Sequence, residues 1–132
     1  GFAHDEIITN IMKVKAPFEP SLVALSAGFA ALDDSDHLNK TVKLVEDGMK
    51  YLSSKFDELE IHHIPSAANF ITTVWESLKQ VKSICTESLK KGVILRPLNS
   101  FGWSDCIRIT VGLSEENEKC VDVLKSILSK NL

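Results

Sequence analysis

Changes of rhythm among the apolar residues predict an α/β layer built on one small sheet of about four strands with helices packed on it. Helical spacing runs up to residue 59, two short runs rich in Ile, Phe, Thr and Val follow, and the remainder reads helix, strand, strand, helix. Composition agrees: 44% hydrophobic and 25% charged residues among 132 is a globular balance at the size of one domain. No internal repeat or low-complexity tract breaks the pattern.

Residues 5–13 predict a short helix, with acids in the first turn and lysine in the last, as the helix dipole favours; it stops before Pro17. A second helix opens around Pro20-Ser21 and is apolar on nearly every side to Leu32, which predicts burial between other elements. Asp33-Asp34-Ser35-Asp36 breaks it. The third helix has the clearest signature: Leu38, Val42, Val45, Met49, Leu52, Phe56 and Leu59 recur at spacings of four and three. Such a stripe suits a face that packs on a sheet, and it also suits a coiled-coil seam.

The period then shortens. Residues 60–64, closed by Pro65, and residues 68–75 predict two strands. A helix over 77–91 is stopped by Gly92 at the usual C-terminal position. Residues 93–95 and 106–111 predict two more strands, joined by a loop rich in Pro, Asn, Ser and Gly that carries Phe101 and Trp103. The last helix opens at Ser114-Glu115-Glu116-Asn117, with Ser114 as the expected N-cap, and continues on Val121, Leu124, Ile127 and Leu128.

Several function classes are disfavoured. Net charge is −3 and the lysines are scattered among acids, so no basic stripe awaits a nucleic-acid backbone. The longest mainly apolar stretch, residues 21–32, is far short of the roughly 20 residues that span a bilayer. Cys85, Cys106 and Cys120 form an odd set without Cys-x-x-Cys spacing, which fits a reducing, cytoplasmic setting and buried, inert thiols. His62 and His63 are neighbours in a predicted strand and would point to opposite faces; His4 and His37 are remote in sequence, so no metal site is expected. Gly102 and Gly112 are isolated, no phosphate-cradling glycine run occurs, and no G-x-S-x-G elbow announces a nucleophilic serine.

What stands out is the arginines. Only two occur against thirteen lysines, and both, Arg96 and Arg108, lie within thirteen residues. A guanidinium offers a planar fork that matches a carboxylate or phosphate bidentately, whereas lysine suffices for surface charge. Arg96 and Arg108 are therefore the candidates for anion recognition, the alternative being ordinary ion pairs. Phe101 and Trp103 beside them could line a ligand site or form an apolar lid.

Four blocks sharpen this picture. Val14-Lys15-Ala16-Pro17-Phe18, Pro65-Ser66-Ala67-Ala68-Asn69-Phe70, Gly92-Val93-Ile94-Leu95-Arg96-Pro97, and Asp105-Cys106-Ile107-Arg108-Ile109-Thr110-Val111-Gly112 with Glu115-Glu116-Asn117 resemble, in order and spacing, the signatures of histidinol-phosphate aminotransferases. The resemblance spans the chain and corresponds to the C-terminal portion of such an enzyme, mainly its small domain, with residues 1 to about 35 leading out of the large cofactor domain. It implies a fold type I transferase dependent on pyridoxal 5'-phosphate and acting as a homodimer. The reaction it implies passes the amino group of L-histidinol phosphate to 2-oxoglutarate in histidine biosynthesis.

By the same resemblance Arg108 binds the substrate α-carboxylate and Arg96 the substrate phosphate. Gly1-Phe2 resemble the end of the segment that carries the family's Schiff-base lysine, and none of the thirteen lysines stands in such a motif. No catalytic or cofactor-binding residue is therefore expected here, and the chain should be inactive alone. Glu19-Pro20 and Trp103-Ser104 differ from many relatives, and these positions bear on substrate choice. Aromatic amino acid aminotransferases and threonine-phosphate decarboxylases share much of the pattern. Two other readings are a non-catalytic anion-binding module and an interaction domain that uses the stripe from Leu38 to Leu59.

Overall fold

A computed structural model describes residues 2–15 and 18–129. Ala16 and Pro17 of the first signature block, and Gly1, lie outside the described residues. The chain divides into two compact units, residues 1–37 and 38–132.

The first unit holds helices α1 (Asp5–Val14) and α2 (Leu22–Asp33). Helix α1 is capped by His4, whose Nδ1 accepts the Glu6 N–H at 3.4 Å, and carries Asp5 and Glu6 in its first turn and Lys13 in its last. Helix α2 opens on Ser21, whose Oγ accepts the Ala24 N–H at 3.2 Å. The burial expected for α2 is not found: none of its residues is buried, and Leu22, Val23, Phe29 and Leu32 are all exposed. A helix that is apolar all round needs neighbours on several sides.

Helix α3 (Ser35–Glu58) follows after one residue, because the Asp34 carboxylate accepts the His37 N–H at 2.9 Å and starts a new helix where the acidic run ends the old one. Its apolar stripe is used unevenly. Leu52 and Phe56 are fully buried and Met49 and Leu59 pack beside them, while Leu38 and Val42 stay exposed. After α3, Glu60 adopts φ 56° and Ile61 N–H returns to the Phe56 carbonyl at 2.8 Å. This left-handed residue ends the helix and displaces the first strand from the expected 60–64.

The sheet has four strands, β1 (His63–Ile64), β2 (Phe70–Val74), β3 (Arg96–Pro97) and β4 (Cys106–Thr110), in the order β1-β2-β4-β3 with every neighbour antiparallel. Helix α4 (Leu78–Lys90) leads from β2 to the far edge of the sheet, and the chain then returns so that β4 fills the gap. Ser77 caps α4, accepting the Gln80 N–H at 3.3 Å, and Gly92 at φ 77° ends it as expected, with Val93 N–H bonded to the Ser88 carbonyl. The third strand lies later than the predicted 93–95. Pairing with β4 is confined to Arg96 and Pro97, so Arg96 is itself a ladder residue.

Helix α5 (Ser114–Leu128) starts one residue from the expected capping arrangement. Leu113 occupies the N-cap position and Ser114 is the first helical residue. The Glu116 carboxylate reaches back to accept the Leu113 N–H at 2.8 Å, so the expected serine cap is not needed. Ile71, Ile107 and Ile109 from the sheet join Leu52 and Phe56 of α3, Val81 and Ile84 of α4, and Val121, Leu124 and Ile127 of α5 in one core.

Candidate functional site

The arginine positions follow from the alternation of side chains along β4. Ile107 and Ile109 point into the core and are buried, which places Cys106, Arg108 and Thr110 on the opposite face. Thr72 of β2 stands opposite Arg108 on one side and Arg96 of β3 on the other. The two arginines are thus direct cross-strand partners on one face. Like charges in that register destabilise a sheet unless something between them is negative.

No described carboxylate forms an ion pair with either arginine, although Glu116 also lines the cleft that both border. Arg108 Nε is buried without a hydrogen bond. Each arginine lies instead over an aromatic ring: Arg108 Cζ is 5.3 Å from the centre of Phe70, and Arg96 Cζ is 5.8 Å from that of Phe101. Among the described residues, Arg96 and Arg108 therefore do not form the ordinary ion pairs of the alternative reading. Their charges remain open to an external anion, and both border a cleft of about 620 Å³ whose walls include Ile94, Thr110, Asn117 and Lys119.

The loop between β3 and β4 is folded. Residues Asn99–Phe101 form a 3-10 turn closed by Gly102 at φ 86°, and Leu98 N–H bonds the Cys106 carbonyl at 3.0 Å across its base. Of its two aromatics, Phe101 remains 64% exposed under Arg96 and Trp103 is 51% exposed, so neither is an apolar lid buried on the domain.

The strand is fixed at both ends. Trp75 N–H bonds the Asp105 carbonyl at 2.8 Å at one end. At the other, buried Asn117 clamps Gly112: its Oδ1 accepts the Gly112 N–H at 2.9 Å and its Nδ2 donates to the Gly112 carbonyl at 3.0 Å. Helix α3 presses on this junction through Gly48, where a Cβ would lie 2.4 Å from Val111 Cγ1 and 3.0 Å from Asn117 Nδ2. Within the core, Thr73 Oγ1 donates to the Ile107 carbonyl and accepts Trp75 Nε1–H.

Other candidate groups do not converge on the arginines. Burial pushes the Cys120 thiol up to about 11 and raises Cys85 as well; at Cys106 burial is joined by the neighbouring Asp105 carboxylate. These are poor nucleophiles. His62 is exposed, but His63 is partly buried, its ring edge-on to Phe56 and its Nδ1 3.2 Å from the Ile61 carbonyl, rather than an exposed histidine. Among the described residues no cluster of three metal-ligating side chains occurs, and no helix is long and apolar enough to cross a membrane. Phe70 and Asn117 were not singled out by residue chemistry. Both stand in the blocks that carry the family resemblance, and that was the available signal.

The sequence model of the family described as Aminotransferase class I and II matches residues 1–124. A histidinol-phosphate aminotransferase of Symbiobacterium thermophilum is 34% identical over 130 residues, covering 98% of this chain and 36% of the relative. Histidinol-phosphate aminotransferase 1 of Nitrosococcus oceani is 37% identical over 131 residues, covering 98% and 35%. The chain thus spans about a third of the length of these curated relatives. Among solved structures, a putative histidinol-phosphate aminotransferase from Erwinia carotovora atroseptica superposes with a TM-score of 0.86 at 20% identity, over 98% of this chain and 36% of that one. The Sinorhizobium meliloti histidinol-phosphate aminotransferase in complex with pyridoxal-5'-phosphate gives 0.84 at 19%, over 94% and 34%. Fold, cross-strand arginines and a family match over residues 1–124 lead to one assignment: this chain belongs to the class I and II aminotransferases.

Proposed function

We propose that the chain is the C-terminal portion, mainly the small domain, of a pyridoxal-phosphate-dependent aminotransferase that moves the amino group of L-histidinol phosphate to 2-oxoglutarate. Residues 1 to about 35 then lead out of a large cofactor domain, and the full-length enzyme works in the cytoplasm as a homodimer. The observation that carries this reading is the pair of cross-strand guanidinia without acidic partners among the described residues. An amino substrate with a carboxylate or phosphate needs such a surface.

The residues present suit the substrate's anionic ends rather than the cofactor. A carbonyl cofactor is anchored by a lysine amine, and the lysine bordering the cleft, Lys119, stands on α5 in no motif of that kind. The chain therefore holds substrate, while pyridoxal phosphate is held by the rest of the full-length protein and supplies the carbonyl that receives the amino group. Arg108 grips the α-carboxylate of glutamate or its oxo acid and turns the reacting carbon toward the cofactor. Arg96 takes the phosphate and favours phosphorylated over neutral substrates, since binding an uncharged analogue would leave its cation without a partner. By itself the chain should not transaminate.

The test is spectroscopic. In the full-length enzyme, adding L-histidinol phosphate should convert the visible spectrum of the pyridoxal form to that of the pyridoxamine form, and phenylalanine should do so far less. An unchanged spectrum with histidinol phosphate would remove this substrate and leave an aromatic amino acid, or a decarboxylation of a phosphorylated amino acid, as the reaction.

A further inference from the structure

We infer that Phe70 is a positioning residue for Arg108, its ring taking the orienting role that a carboxylate has in an ordinary buried arginine pair. The inference rests on the reading of Arg108 as an anion-binding residue. Phe70 pairs with Thr110 in the β2–β4 register, and Arg108 is two residues away on the same face, so the two are diagonal neighbours within reach across the ladder. The guanidinium carbon lies 5.3 Å from the ring centre. A cation at that distance over a π-face is attracted by the ring quadrupole.

The chemistry differs from that of an acidic partner in one respect. A carboxylate would fix the guanidinium and also neutralise it, occupying two of its donors. The ring fixes it through its face and uses none of them, so the full charge stays available to an incoming anion. This explains how Arg108 can have a buried Nε without a hydrogen bond and still be held.

The experiment uses the full-length enzyme and succinate, a dicarboxylate without an amino or oxo group, with affinity measured by calorimetry and stability by thermal melting. Phe70→Leu should weaken succinate binding about 3- to 10-fold, the range expected from losing a partly desolvated cation–π contact. Phe70→Tyr, which keeps the ring, should restore it, and melting temperatures should not follow the affinities. Wild-type affinity in Phe70→Leu would overturn the inference. So would equal weakening in both variants in step with lowered melting temperature, which would make Phe70 a packing residue only, or a wild-type enzyme that does not bind succinate. If succinate binds as expected but histidinol phosphate leaves the cofactor spectrum unchanged, the substrate assignment fails and the role of Phe70 stands.

Discussion

Strand β4 presents two faces built from alternate residues of one five-residue segment, and they solve opposite problems. On one, Ile107 and Ile109 are buried among the side chains of three helices, and the backbone beneath is tied by the Thr73 hydroxyl to the Ile107 carbonyl. On the other, Arg108 faces Arg96 and neither is ion-paired to a described acid. The first face gains stability from burial and has no chemistry to offer. The second gives up the stability that acidic partners would contribute and keeps two charges free. A rigid apolar side is what allows the same strand to hold an electrostatically unfavourable pair in register.

Breaking the apolar face should have the largest effect. Ile107→Ala removes a fully buried side chain from the centre of the sheet and should cost about 2–5 kcal/mol of stability, measured by denaturant unfolding of the full-length protein. A loss below 1 kcal/mol would mean that the site collapses around the gap. On the opposite face Arg108→Lys should leave the melting temperature almost unchanged while lowering kcat/KM by an amount equivalent to about 2–3 kcal/mol, because one point charge replaces a planar fork. Near-wild-type kcat/KM would remove Arg108 from the carboxylate role.

The clamp at the end of the strand should fall between the two behaviours. Asn117→Ala leaves both polar groups of Gly112 without this partner and should cost about 1–3 kcal/mol in unfolding free energy. No loss would show that water takes over both bonds.

Smallest is a pH effect confined to the core side. The folded chain keeps the Cys120 proton up to about 11, whereas an unfolded chain releases it near 9.0. Below 9.0 both states are protonated and stability is unaffected. Above it the unfolded state binds fewer protons, so stability declines as pH rises from 9 toward 11, by at most about 1.4 kcal/mol per pH unit. Cys120→Ala should flatten this part of the stability profile, and an unaltered slope would assign it to other groups.

Local chemistry made some of these features legible. Gly92 marks a helix end because a left-handed residue is wanted there, and the heptad-like spacing from Leu38 to Leu59 defines α3. The arginines stand out by scarcity alone. Their opposition does not, because strand register is a property of two segments at once. Val93-Ile94-Leu95 reads as strand by propensity, yet pairing starts only at Arg96. For the same reason nothing near Phe70 reveals Arg108 as its neighbour, since 38 positions separate them and only the sheet brings them together. The stripe of α3 identifies an apolar face but not that Leu38 and Val42 would be left uncovered within this chain, because periodicity reports which residues share a side and not what meets them.

The contact at Gly48 has a mechanical consequence. Most helices touch a sheet through side chains that can change rotamer and absorb a small displacement. Here helix α3 meets Val111 and Asn117 with bare backbone, at a spacing that a single added carbon would violate. The compliance left at this contact is that of the Val111 and Asn117 side chains alone. A shift of α3 toward the junction is therefore passed directly to the Asn117 amide that clamps Gly112.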